Sequence, residues 1–330
     1  MTPTSTSPRL RRRSILQAAA LGAVWPSAWA QAPFPNKPVR IVVPFAAGGP
    51  TDLMARAIAK AMGQSTGQPF IVDNKPGGGG VIGLSEIGRN PADGYTLVMP
   101  SILAVTNPAL MPNYPFDTLK DFSPVTIVGL IPHALVVKPD FAATDLQGLV
   151  KMGKANPGSL SYASSGIGTS AHLAGALFAQ RAGIQATHVP YRGAGPAVQD
   201  LLGGRVQFMF LDMSSALGQI QAGKLRALAV APAQRFEGLP QVPTVAEQGY
   251  PGFDVHGWYG LLVKSGTPAP VVDALYREVK AALSDTELRA MFRAQGIEPG
   301  GMPPTEYGEI IRKDLVQWRK TIAELGIKLD

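Results

Sequence analysis

The stretch PFAAGGPTDLMARAI, Pro44 to Ile58, closes an apolar run, turns through four small residues and opens a helix. The run before it, PVRIVVPF (Pro38 to Phe45), is apolar almost throughout. That is the pattern of a strand covered on both faces rather than of a half-exposed one. Pro50 suits a first helical position, Thr51 and Asp52 suit a first turn, and Leu53, Ala57, Ile58 and Ala61 recur at helical spacing. A turn of small residues there leaves backbone N–H groups free at the positive end of a helix dipole. Such an arrangement holds anions without a charged side chain. The turn itself carries no nucleophile, base or metal ligand.

The same design returns more than a hundred residues later. LSYASSGIGTSAHLAGALF (Leu160 to Phe178) runs from an apolar strand through Ser164, Ser165, Gly166, Ile167, Gly168 and Thr169 into an Ala/Leu-rich helix. Between and after the two copies, PFIVDN, GYTLVMP, HALVVKP, LSYAS, THVPY, VQFMFLD, LRALAV and WYGLLV read as short strands. Most are separated by helical or turn-rich stretches, which predicts an α/β fold with parallel sheets. Helices are expected over Pro270 to Leu283, Asp285 to Ala294 and Thr305 to Leu325. In the last, Tyr307, Ile310, Ile311, Leu315, Trp318, Ile322 and Leu325 form one packing face. Two glycine turns in two α/β lobes can both point into one cleft, because ligands of open α/β sheets bind beyond the carboxyl ends of strands.

The chain has 330 residues, 45% apolar and 16% charged, enough for two lobes rather than one. Its formal charge of +7 is concentrated at the start: residues 1–30 hold Arg9, Arg11, Arg12 and Arg13 and no acid. The remainder has 26 basic and 23 acidic residues, a balance that favours neither nucleic acid nor an anionic membrane surface as partner. RLRRRSILQAAALGAVWPSAWA reads as an export signal: a basic start, an apolar stretch from Ile15 to Trp25 and a small-residue cleavage site at Ala28-Trp29-Ala30. Arg12-Arg13-Ser14-Ile15-Leu16 also suits a twin-arginine signal, so both export routes stay open. The mature chain is expected to start near Gln31 in the periplasm, without a membrane anchor. It has no cysteine, hence no disulfide and no thiol chemistry.

Enzyme motifs are scarce. There is no G-x-S-x-G elbow, no H-E-x-x-H and no phosphate-binding G-x-x-x-x-G-K-[ST], and His133, His172, His188 and His256 lack ligand spacing. No metal and no cofactor is expected. Gly78 to Gly83 matches G-x-G-x-x-G, but Asn74 to Gly77 separate it from the strand, and a glycine turn before a helix is the better reading. Ser165 with His172 could make a nucleophile and base, yet no third group orients them. Capping and hydroxyl donation to a ligand by Ser164, Ser165 and Thr169 is the simpler role. Asp212 could grip a ligand ammonium or cap the helix near Ser214. Tyr191 and Trp258 could line the cleft or belong to the core.

Seven blocks carry a resemblance over nearly the whole chain after residue 30: VRIVVPFAAGGPTDLMAR, NKPGGGGVIG, PADGYTLVM, YASSGIGTSAHLAGALF, HVPYRGAGPAVQDLLGGRVQFMF, GKLRALAV and VPTVAEQGYPGFDVHGWYGLLV. They resemble the Bug family of periplasmic solute receptors of tripartite tricarboxylate transporters. The resemblance implies a two-lobed periplasmic binding-protein fold of the second type, each lobe a sheet flanked by helices. Lobe 1 would comprise residues 31–131 with 253–330 and lobe 2 residues 132–252, with hinges near Ile131–Pro132 and Phe253–Val255. It implies capture of a small carboxylate (a dicarboxylate, amino acid or aromatic acid) by backbone amides and ordered water from two pincer loops.

Carried onto this chain, the first pincer is Phe45, Ala46, Ala47, Gly48, Gly49, Pro50, Thr51 and Asp52. The second is Ser164, Ser165, Gly166, Ile167, Gly168 and Thr169, with His172 behind. Pro50 lacks an N–H, so Ala47, Gly48, Gly49 and Thr51 would supply the first loop's donors. Ser101 opens the segment SILAVTNPAL, where family members often have histidine at the position of Leu103. The implied partners are a carboxylate, inner-membrane permease subunits and, alternatively, a signalling receptor; the protein is expected to be a monomer. An exported serine hydrolase is the remaining alternative.

Overall fold

The computed structural model describes residues 34–329. The expected export signal, residues 1–30, and the expected mature start at Gln31 lie outside the described residues. Three strands, β1 (Val39–Val43), β2 (Phe70–Asn74) and β3 (Thr96–Val98), pair in parallel with β1 in the middle. Helix α1 (Pro50–Thr66) links β1 to β2, and α2 (Val81–Gly88) links β2 to β3. Beyond β3 come α3 (Leu103–Leu110), the single turn α4 (Thr118–Asp121) and β4 (Phe122–Val137), the longest strand. A second parallel set follows: β5 (Leu160–Ser164), flanked by β6 (Ala186–Pro190) and β7 (Phe208–Asp212). Its helices are α5 (Leu146–Ala155), α6 (Ser170–Ala182), α7 (Ala194–Leu202) and α8 (Met213–Gln221). The chain then forms β8 (Arg226–Val230), β9 (His256–Lys264), α9 (Ala269–Ser284), α10 (Thr286–Ala294), β10 (Glu298–Pro299) and α11 (Pro304–Glu324). No helix among the described residues is long and apolar enough to cross a membrane.

The sheet is mixed: the strands of each half pair in parallel, as the sequence predicts, and antiparallel strands join the halves. Its strands run in the order β2-β1-β3-β9-β4-β7-β5-β6, with β8 and β10 also on β4. Antiparallel pairing joins β9 to β3 and to β4, and β4 to β7 and β8. β4 is shared by the two halves: Phe122–Pro132 pairs with β9, whereas His133–Val137 pairs with β7 and β8. In sequence only HALVVKP reads as a strand there. Pro124 and Pro132 hid the first half, since proline cannot donate to a ladder. The strand accommodates them, with a register shift between Pro124 and Thr126 and with Pro132 at the end of the β9 pairing. The two parallel sets, joined through β4 and β9, make a two-lobed α/β architecture.

The late helices fall within one residue of their expected limits at either end. Tyr307, Ile311, Trp318 and Ile322 of α11 are buried, and the Tyr307 ring lies where a Cβ on Gly260 of β9 would stand. Trp258, on the same strand, meets Tyr307 edge-on at 5.5 Å between ring centroids.

Candidate functional site

The two glycine turns are built alike. Gly48 adopts φ +86° and Gly168 φ +78°, a left-handed backbone that glycine enters without a Cβ penalty. Each then gives its N–H to the side chain four residues on. Gly48 N donates to Asp52 Oδ2 at 3.0 Å, and Gly168 N donates to His172 Nδ1 at 3.1 Å. The next residue is extended in both loops, Gly49 at ψ 173° and Thr169 at ψ 157°, and the helix follows at once. Superposed in sequence, Gly48-Gly49-Pro50-Thr51-Asp52 matches Gly168-Thr169-Ser170-Ala171-His172. Pegging one glycine inward leaves the following amides pointing out. Among the described residues, the N–H groups of Gly49, Thr51, Ser170 and Ala171 meet no protein acceptor. These are the orphan donors of two helix N-termini.

The pegs differ in chemistry. Asp52 is 5% exposed and Arg56 Nε donates to the same Oδ2 at 2.9 Å. The Arg56 bond, opposed by burial and aided by the Gly48 amide, holds the Asp52 carboxyl below its ordinary range. His172 is 4% exposed and stacks on His188 at 3.7 Å between centroids. Burial pulls His172 down to about 4, and burial with the neighbouring ring pulls His188 down to about 3, so both rings are neutral supports.

Several expected ligand contacts are therefore spent on the loops themselves. Asp52 and His172 hold glycine amides from behind, and the Gly48 amide is occupied. Ser164 is fully buried, with Oγ 2.7 Å from His188 Nε2 and accepting the Gly166 N–H at 3.2 Å. Its hydroxyl is not available to a ligand. Tyr191 donates its hydroxyl to Asp200 at 2.7 Å and its N–H to the Ser164 carbonyl at 3.0 Å, so it staples the loop base. Thr169 caps α6, its Oγ1 accepting from His172 N at 3.4 Å and donating to the Gly166 carbonyl at 2.8 Å. Ser165 and Gly166 are half-buried in the loop, and Ala47 is exposed at the first loop's tip.

Helix α3 braces the second loop from the opposite side. Thr106 Oγ1 donates to the Gly168 carbonyl at 3.1 Å, and Leu110 packs where a Gly168 Cβ would be. Leu103 lies 3.7 Å from that same Cβ position and also lines a narrow crevice with Phe45 and Ser101. Leu103 thus stands between the two loops. Ser101 itself is 7% exposed; its Oγ accepts the Leu103 N–H at 3.3 Å and its backbone bridges to Tyr259. The Gly78–Gly80 turn meets α3 as well, since Asn107 Nδ2 donates to the Gly79 carbonyl at 3.0 Å. That is a structural glycine turn.

Tyr259 is the residue that sequence reasoning missed. Side chains alternate along a strand, so Trp258 and Tyr259 face opposite ways: Trp258 is 1% exposed in the core, while the Tyr259 ring keeps partial exposure beside Phe45, with 6.1 Å between centroids. Burial pushes the Tyr259 phenol well above its usual range, the Asp212 carboxylate adds to this, and the Thr51 side chain pulls the other way. Tyr259 therefore adjoins Thr51 of the first loop and stands within the field of Asp212. Asp212 in turn reaches the second loop: its Oδ1 is 2.8 Å from His133 Nε2, and that nitrogen is 3.0 Å from Ser170 Oγ. Asp212 stands at the start of α8 without a side-chain capping bond, so the expected cap is replaced by the His133 contact. Ser170 and Asp212 meet the same ring nitrogen, which differs from a catalytic relay, where base and orienting carboxylate use opposite nitrogens.

The sequence model of the tripartite tricarboxylate transporter family receptor matches residues 54–327. The chain belongs to that receptor family. The receptor is 38% identical over 298 residues to BugT of Bordetella pertussis, covering 90% of this chain and 91% of that one. It is similar to the R. palustris protein Rpa4515 solved with adipate: TM-score 0.81 and 33% identity over 90% of this chain and all of the other. MatC (Rpa3494) from Rhodopseudomonas palustris, with bound malate, gives a TM-score of 0.77 and 31% identity over 88% of the receptor and all of MatC. The receptor is a solute-binding protein and not an enzyme. The hydrolase alternative built on Ser165 and His172 fails on that ground, and His172 Nδ1 is already bonded to the Gly168 amide.

Proposed function

We propose that this receptor captures a small carboxylate between the two glycine loops and presents it to a tripartite tricarboxylate-type permease in the inner membrane. The observation that carries the reading is the matched pair of pegged glycines, Gly48 on Asp52 and Gly168 on His172, each followed by free first-turn amides. Two helix N-termini supply donors and positive potential without an arginine or lysine in either loop. Ligand contact falls to Gly49, Thr51, Ser165, Ser170 and the Tyr259 phenol. Adipate in Rpa4515 and malate in MatC support a small acid as the class. The lobes would close about β4 near Ile131–Pro132 and about the Phe253–Val255 segment leading into β9, with residues 31–131 and 253–330 in lobe 1 and 132–252 in lobe 2.

A thermal-shift screen over small acids tests this. A ligand at a hundred times its Kd adds about 2.7 kcal/mol to the folded form, a clear rise in Tm. A screen in which no carboxylate raises Tm overturns the reading. Mass spectrometry of the exported protein checks the proposed route to the periplasm: the mature chain starts at or near Gln31, and a pool beginning at Met1 or Thr2 would contradict it.

The nearby cations give a further check. Lys75 is half-exposed and already 3.5 Å from Asp73, and Arg192 is exposed. Lys75→Met and Arg192→Met are expected to weaken binding only through screened, long-range attraction. Thr51→Val should cost about 1–3 kcal/mol in calorimetry, because a hydrogen bond to a charged group is lost. A larger loss from either cation would sink the amide-cradle reading.

A further inference from the structure

Asp212 is a carboxylate standing between two anion-holding helix ends. It shares the His133 Nε2 atom with Ser170, the first residue of α6, and its charge is felt by Tyr259, which lies against Thr51 of α1. Its side chain is only 24% exposed, and among the described residues no lysine or arginine comes within ion-pair distance of it. His133 does not supply the missing cation. The ring is fully buried and Nδ1 has no hydrogen-bond partner. A proton on Nδ1 would be a buried donor without an acceptor, so the ring meets Asp212 as an Nε2–H donor only. One Asp212 oxygen is taken by that bond, and the other has no donor among the described residues. A carboxylate left this way beside an anion site repels a simple acid and attracts a positive group on the same ligand.

We propose that Asp212 is the residue that sets ligand class, and that the bound acid carries an ammonium group which pairs with its free oxygen. This rests on the carboxylate reading above and adds the second charge. The loops would hold the carboxylate end, and Asp212, positioned by His133, would hold the ammonium. A ligand carrying only a carboxylate leaves Asp212 unpaired in a closing cleft, which costs affinity.

The test compares acids that differ only in the substituent at carbon 2: aspartate, malate and succinate; glutamate, 2-hydroxyglutarate and glutarate; 2-aminoadipate, 2-hydroxyadipate and adipate; alanine, lactate and propionate; phenylalanine, phenyllactate and phenylpropionate. Each is titrated calorimetrically into the mature protein and into Asp212→Asn. In whichever series binds, the amino member is expected to bind at least tenfold more tightly than the unsubstituted member. In Asp212→Asn that ratio should fall towards one, with the unsubstituted acid gaining. Asp212→Ser serves if the asparagine variant does not fold, as judged by circular dichroism. Preference for the hydroxy or unsubstituted acid in the wild type, or an unchanged ratio in the variant, overturns this proposal and leaves the carboxylate reading standing. Binding by no member of any series overturns both.

Discussion

Gly168→Val is expected to abolish ligand binding, with affinity falling by at least a hundredfold, and to lower Tm as well. Three separate features of the position combine. The backbone sits at φ +78°, where a β-branched residue is strongly disfavoured. The space a Cβ would take is filled by Leu110 of α3, with Leu103 and Thr106 beside it. The N–H and C=O of the residue are both in use, to His172 Nδ1 and from Thr106 Oγ1. Any shift that relieves the clash moves both bonds and turns the Ser170 and Ala171 amides off their line. Gly48→Val separates the effects, because at φ +86° its Cβ meets nothing within 4 Å. It should weaken binding through backbone strain alone, with a smaller fall in Tm than Gly168→Val shows. Calorimetry and thermal melts on the two variants decide: wild-type affinity in Gly168→Val would mean that the second loop is not a ligand contact.

Much of this was legible in the sequence because it depends on local rules. An apolar run, four small residues and Pro50 specify strand, turn and helix start within one short segment. The repeat at Leu160 to Phe178 obeys the same rules, and the late helices announce themselves by apolar spacing. What stayed hidden depends on partners distant in sequence. The first half of β4 carries two prolines and exists as strand because β9 lies alongside it. The roles of Asp52 and His172 are not legible because spacing shows that a polar residue follows a glycine turn, but not that its side chain folds back onto the turn. In sequence Ser164 reads as a ligand hydroxyl, whereas its partner, His188, arrives from β6, 24 positions on. Asp212 needed His133 beside it to be interpretable, and that contact exists only through the antiparallel register of β4 and β7.

The pair Trp258 and Tyr259 turns that lesson into a measurement, since adjacent residues on β9 are expected to fail in opposite ways. Trp258→Ala should destabilise the fold by about 3–5 kcal/mol, the usual cost of removing a large buried aromatic side chain. Trp258 is 1% exposed, packs edge-on against Tyr307, and donates Nε1–H to Asp314 Oδ2 at 2.8 Å. Burial already raises the Asp314 carboxyl above its ordinary range, and the Trp258 bond is the main influence opposing it. Without the indole that carboxylate loses a buried donor, so Asp314→Asn in the Trp258→Ala background should recover part of the lost stability. Tyr259→Phe removes only a hydroxyl set against Thr51 within the charge of Asp212. It should leave Tm within a few degrees of wild type and weaken binding of the acid by about tenfold, the loss of one hydrogen bond to a charged group. Denaturant melts and calorimetry on both variants read the two outcomes independently. A Trp258→Ala protein with wild-type stability, or a Tyr259→Phe protein with wild-type affinity and lost stability, would show that β9 presents the other face to the cleft.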